Sequence, residues 1–261
     1  MYVEQMTQVS RDVPRQREGR RVLGVRVDDV TLSEAMTAIT HAVRTGTRCH
    51  VITLNPEYVM RARRDAELRK IIERAEIVTA DGAGIMHAAR FGRMPLRARI
   101  TGNDLTDAVA AAGIPLFLLG AAPGVAEAAA AVVVRRFPSA HIAGLWSGSA
   151  DPTDDIITRR QINASSAQVV LVAFGMPKQD RWIDRNLPSL NAPVAIGVGG
   201  TFDYLAGRVS RAPRWMRERG LEWLYRLVRQ PSRFPRILRV WQFGFVSVVS
   251  AVAGRLRGGK A

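Results

Sequence analysis

Five short turns hold most of the residues able to do chemistry, and each directly follows an apolar run. They are TLNPE (53–57), TADGAG (79–84), GAAPG (120–124), FGMPKQ (174–179) and GVGGTFD (197–203). In the second of them, Asp81 separates an apolar run from a helical pattern that begins near Gly82. A carboxylate in that position either caps the helix or acts as a general base, deprotonating an acceptor hydroxyl as its oxygen attacks an electrophilic carbon. Thr53 and Asn55 end the neighbouring run with short side chains that both donate and accept, as sugar hydroxyls and diphosphate oxygens require. Turn formation before Pro56 accounts for Asn55 equally well. Gln179 and Asp203 follow two later runs, where a carboxamide and a carboxylate suit a uridine or sugar edge better than bare phosphate. An ion pair with a C-terminal arginine is the structural alternative for Asp203. Arg99 and Lys178 offer charge to phosphates, with solvated surface as the alternative for each.

The elements that must position these residues follow from periodicity. Short runs rich in β-branched residues at 22–27, 50–54, 77–80, 115–119, 141–145, 168–174 and 194–198 predict buried strands. Segments of helical period at 33–44, 56–75, 82–91, 103–112, 124–137, 154–165 and 177–190 lie between them. Thr31 with Glu34 fits a capping box, and Pro56 and Pro177 suit a first helical turn. Such alternation predicts an α/β fold with a mostly parallel, Rossmann-like sheet flanked by helices. Ligands of these folds approach the carboxyl ends of the strands, so all five turns are expected along one sheet edge, around one cleft.

Composition narrows the chemistry. The chain has 261 residues, 47% of them hydrophobic, ample for a large core. Its 38 basic and 23 acidic residues give a formal charge of +15, which points to an anionic partner. Residues 205–261 hold 13 basic and 2 acidic residues, a net of +11, so the charge is concentrated in the C-terminal part. There, arginines alternate with Trp215, Trp223, Tyr225 and Phe234 before an apolar stretch at 241–253. Thirteen residues are too few to span a bilayer, and the pattern resembles an interfacial anchor. The sequence therefore divides into a mobile extension at 1–21, a catalytic α/β domain at 22–204, and a basic, amphipathic, Arg-rich helical appendage at 205–261 for membrane association. The extension has no apolar run of the kind a secretion signal needs.

One cysteine excludes an internal disulfide, and four histidines without close pairing argue against a metal centre. No D-x-D, GxGxxG or GxxxxGK[ST] occurs, which disfavours a metal-clamped nucleotide-sugar site and a P-loop nucleotidase. No metal and no cofactor is expected, so a departing diphosphate would need arginines, backbone amides or helix termini.

The runs TLNPE (53–57), ADGAG (80–84), TGNDL (101–105), FLLGAAPGVAE (117–127), FGMPKQDRWI (174–183), GVGGTFDYLAGRVSRAP (197–213) and GLEWLYRLVRQPSRFPR (220–236) together resemble the WecG/TagA/CpsF glycosyltransferase family. The resemblance covers about residues 22–238. It implies an inverting hexosyl- or N-acetylhexosaminyltransferase that moves a sugar from a UDP-sugar to a polyprenyl-diphosphate-linked saccharide in cell-surface polysaccharide or teichoic acid synthesis. The enzyme would work as a peripheral protein on the cytoplasmic face of the membrane, against an anionic surface, with a homo-oligomer allowed and no nucleic acid partner. The same resemblance places the catalytic aspartate on Asp81, the catalytic or acceptor-side threonine on Thr53 with Asn55 beside it, and the nucleotide-side residues on Gln179 and Asp203. It assigns Arg226, Arg233 and Arg236 to the acceptor diphosphate or leaving group. Where the family usually has a Gln-Glu pair, this chain has Gln179-Asp180. The rival readings are an RNA-binding α/β protein using the Arg-rich tail, and a NAD-dependent enzyme.

Overall fold

The computed structural model describes residues 19–209, 213, 215–216, 219, 224–225 and 234–258, the last segment with side chains at 238–250 only. The chain opens with an antiparallel hairpin of β1 (Arg20–Val22) and β2 (Val25–Val27). Leu23 and Gly24 turn it at φ values of 51° and 83°, the left-handed backbone that a two-residue hairpin loop demands. The sequence predicts one strand at 22–27 in the main sheet. That run is instead folded back on itself, and Arg20 and Arg21, expected in the N-terminal extension, belong to β1. Asp28 docks the hairpin, pairing with Arg26 at 2.9 Å and accepting the Val78 amide at 2.8 Å.

The main body runs through α1 (Leu32–Thr45), β3 (Cys49–Leu54), α2 (Pro56–Ala62), α3 (Ala66–Arg74), β4 (Ile77–Ala80), α4 (Ala83–Phe91) and α5 (Gly102–Ala111). It continues through β5 (Leu116–Gly120), α6 (Val125–Arg136), β6 (Ile142–Trp146), α7 (Asp155–Asn163), β7 (Val169–Ala173), α8 (Lys178–Asn186), β8 (Val194–Gly197), α9 (Thr201–Leu205) and α10 (Phe234–Gly258). Six strands form one parallel sheet in the order β4-β3-β8-β7-β5-β6. Alternate strand residues serve opposite faces. Val51, Leu118, Leu171 and Ile196 pack with Ile39, Leu105, Val109 and Val133 of α1, α5 and α6. On the other face, Ile52, Leu54 and Val78 meet Tyr58, Leu68, Ile71 and Ile85, while Leu119, Val170 and Val172 meet Ile162, Trp182 and Ile183. Both faces are covered, as the near-continuous apolar runs require.

Local signals explain the boundaries. The Thr31 and Glu34 capping box opens α1, and an unanticipated second box, Thr101 with Asp104, opens α5. The helix expected over 56–75 is two helices, because the Asp65 carboxylate accepts the Leu68 amide at 2.9 Å and starts α3 afresh. Pro177 is the N-cap of α8 and lies just outside the first turn. Cys49 is buried, and burial together with the Glu76 charge pushes its thiol up to about 12, which leaves no thiolate nucleophile.

Candidate active site

The carboxyl ends of β3, β4, β7 and β8 open into one cleft of about 870 Å³. Asp81 enters it from the end of β4, with its own amide bonded to the Leu54 carbonyl of β3 at 2.7 Å. The N-cap of α4 is Gly82, so the capping position falls one residue beyond Asp81. Thr53 lines the cleft from β3, and its buried hydroxyl donates to the Gly197 carbonyl at 2.8 Å, joining β3 to the turn after β8. With its proton committed, that hydroxyl faces a ligand as an acceptor. Asn55 also lines the cleft, while its Oδ1 accepts the Tyr58 amide at 2.9 Å and caps α2. Turn formation and a cleft position thus hold together at Asn55.

Gln179 is 2% exposed and reaches the cleft from the first turn of α8, its Oε1 accepting the Gly199 amide at 3.0 Å. Asp203, in the first turn of α9, and Arg99 line the same cleft. The N-terminal ends of α2, α4, α5 and α9 also face this space through Pro56, Ala83, Gly102 and Thr201. Of these, α4 opens at Gly82 without a side-chain cap, and the aligned dipoles of α4 and α5 favour an anion there. Among the described residues, no group of three or more His, Cys, Asp and Glu side chains is placed to hold a metal ion. A family model described as the glycosyl transferase WecG/TagA/CpsF family matches residues 20–257.

The chain belongs to that family. Two expectations need correction in this WecG/TagA/CpsF glycosyltransferase. Lys178 is exposed and is not among the residues lining the cleft: one residue of α8 turns the side chain by about 100°, which sends Gln179 inward and Lys178 to solvent. The turn at 120–124 also stays outside, because β7 stands between β5 and β8. Arg226 and Arg233 lie outside the described residues, as does the side chain of Arg236, whose backbone belongs to α10.

The glycosyltransferase cleft includes residues that sequence reasoning passed over. Thr101, Gly102 and Asn103 enter from the N-terminus of α5, where Asn103 Oδ1 accepts the Thr201 hydroxyl at 2.8 Å and ties that helix to the Gly197–Thr201 turn. The second capping box was the available signal, but no strand directly precedes it. His87 and Phe91 of α4 line the outer mouth. The cleft is also lined by α10, through Val240, Phe243, Gly244, Ser247 and Val248. Phe243 is 2% exposed, and Arg239 pairs with Glu57 at 2.6 Å, so the C-terminal helix is docked on α2 and α4. Gly84 lets α4 approach α2 closely: an added Cβ would lie 2.7 Å from Pro56 Cγ, while Phe243 at 3.7 Å would be in ordinary contact. Leu238, Trp241, Phe245, Val248 and Val249 of the same helix are exposed. Among the described residues, no helix is long and apolar enough to cross a membrane.

Proposed function

We propose that this glycosyltransferase moves a sugar from a UDP-sugar to a polyprenyl-diphosphate-linked saccharide in cell-surface polysaccharide or teichoic acid synthesis, with inversion and without a metal. The observation that carries the reading is Asp81: a carboxylate on a strand end, beside Thr53, in a cleft whose other wall is the Gln179 and Asp203 side. The acceptor hydroxyl attacks the anomeric carbon from the face opposite UDP. As the new carbon–oxygen bond forms, the bond to the UDP oxygen breaks, the hydroxyl proton passes to Asp81, and the electron pair leaves with the diphosphate. A single displacement of this kind inverts the anomeric centre. Gln179, Asp203 and Arg99 take the donor side, and Arg226, Arg233 and Arg236 bring charge to the acceptor diphosphate or leaving group.

Residues 22–204 form the catalytic domain in this reading, extended at its start by β1, and residues 205–261 form the appendage. The exposed apolar side chains of α10 support docking at an anionic membrane surface, with the cleft opening beside the helix. The enzyme then works on the cytoplasmic face as a peripheral protein, where a lipid-linked diphosphate presents its saccharide.

Helix N-termini and arginines supply the positive charge that a divalent ion gives in other nucleotide-sugar sites. Transfer is therefore expected to persist in excess EDTA. Loss of transfer in EDTA and its return with Mg²⁺ or Mn²⁺ would contradict the metal-free part of the reading.

A further inference from the structure

Behind the cleft wall, Asp180 is buried with 0% exposure between two other buried polar side chains. His50 Nε2 of β3 lies 3.5 Å from its Oδ1. Tyr58 of α2 faces the same carboxylate, and burial followed by the Asp180 charge pushes its hydroxyl well above the ordinary tyrosine range. The phenol therefore stays protonated and can serve as a donor toward Asp180. Yet the His50 Nε2, the Tyr58 hydroxyl and both Asp180 oxygens all lack a hydrogen bond of good geometry. Three polar side chains buried at one point of a hydrophobic core are costly to desolvate, so their location needs an explanation.

That location is the end of β8. A Cβ added to Gly197 would lie 2.5 Å from Gln179 Nε2 and 2.8 Å from Asp180 Oδ1, so both side chains rest against the bare backbone of this glycine. From there Gln179 Oε1 holds the Gly199 amide, and the Gly197 carbonyl holds Thr53. Asp180 thus stands where α8, β3, β8 and α2 meet, directly behind the residue that shapes the Gly197–Gly200 turn.

We infer that Asp180, flanked by His50 and Tyr58, is a positioning residue. It seats the first turn of α8 against Gly197 and so holds Gln179 and the Gly197–Gly200 turn in the shape that receives the nucleotide of the donor. The inference rests on the donor-side reading of Gln179. It treats Asp180 as acting only through its neighbour, with no contact to substrate.

The test uses the full chain, with UDP as the calorimetric probe and thermal denaturation run in parallel. Gln179→Ala is expected to weaken UDP binding by about 10-fold, as loss of a hydrogen bond that fixes the turn should. Asp180→Asn, which keeps the shape and removes the charge, is expected to weaken UDP by about 5- to 10-fold and to raise the donor KM, with the acceptor KM unchanged. Tyr58→Phe removes one flanking donor without changing the core volume and is expected to shift UDP affinity the same way, by about 3-fold. Asp180→Glu, which restores a carboxylate, should bind UDP more tightly than Asp180→Asn. A purely stabilising role lowers the folded fraction and the melting temperature while the folded molecules keep the parental UDP affinity. Parental affinity in folded Asp180→Asn and Tyr58→Phe, with Gln179→Ala weakened, overturns this inference alone. Parental affinity in Gln179→Ala overturns it together with the donor-side reading.

Discussion

Asp81→Asn is expected to transfer sugar at least about 100-fold more slowly than the parent enzyme, with UDP affinity unchanged, because a carboxamide keeps the shape of the side chain but cannot take the proton of the acceptor hydroxyl. The separation of the two effects comes from the sheet order. Asp81 ends β4, at one edge, whereas Gln179 and Asp203 follow β7 and β8. The backbone there is held by the Asp81 amide to Leu54 and the Ile100 amide to Ala80 at 2.9 Å, bonds that the substitution leaves in place while it removes the proton acceptor. A folded variant with near-parental transfer would take the general-base role away from Asp81.

Truncation after Ile237 has the next largest expected effect. It removes Arg239 from Glu57, whose side chain is 13% exposed, and withdraws Phe243 from the face of α2 and α4. Burial of one phenylalanine side chain contributes about 1.5–3 kcal/mol, against a stability of about 5–15 kcal/mol typical of such domains, so the body should stay folded. In the proposed reading the loss falls on the acceptor, because the cleft lining from α10 and its exposed apolar face disappear together. Transfer to a lipid-linked acceptor is expected to fall by at least about 10-fold, through poorer positioning of the reacting hydroxyl. Binding to anionic liposomes should fall with it, and UDP binding, assigned in the proposed reading to Gln179 and Asp203, should persist. Undiminished liposome binding by the truncated chain would refute the anchoring role of α10.

The cleft position of Asp81 was legible in the sequence because the signal is local: a buried run ends, a glycine follows, and a helix begins. The cleft positions of Thr53, Asn55, Gln179 and Asp203 were legible for the same reason. What the sequence hid was lateral order and facing. Nothing between residues 115 and 198 says that β7 lies between β5 and β8, so the turn at 120–124 was expected in a cleft that the sheet order keeps it out of. Lys178 and Gln179 are adjacent in sequence, and only the placement of α8 against Gly197 decides which of them turns inward. The hairpin at β1 and β2 was hidden by a leucine at a left-handed turn position, where the backbone favours glycine or asparagine. Asp180 drew notice in the sequence only as the neighbour of Gln179, and its complete burial comes from packing between elements far apart in the chain. For α10, the uniform apolar run concealed its two-sided use, with Phe243 inward and Phe245 outward, and its ion pair with Glu57 spans 182 positions of sequence.

The most direct test of the account is acceptor-dependent release of UDP. The full-length protein would be mixed with anionic liposomes carrying a polyprenyl-diphosphate-linked saccharide, given a panel of UDP-sugars, and the anomeric configuration of the product read by NMR. The account predicts that UDP is released from at least one donor only when the acceptor is present, and that the new glycosidic bond has the configuration opposite to the donor. Absence of acceptor-dependent release across the panel, with salt-sensitive RNA binding by the same folded preparation, would contradict it.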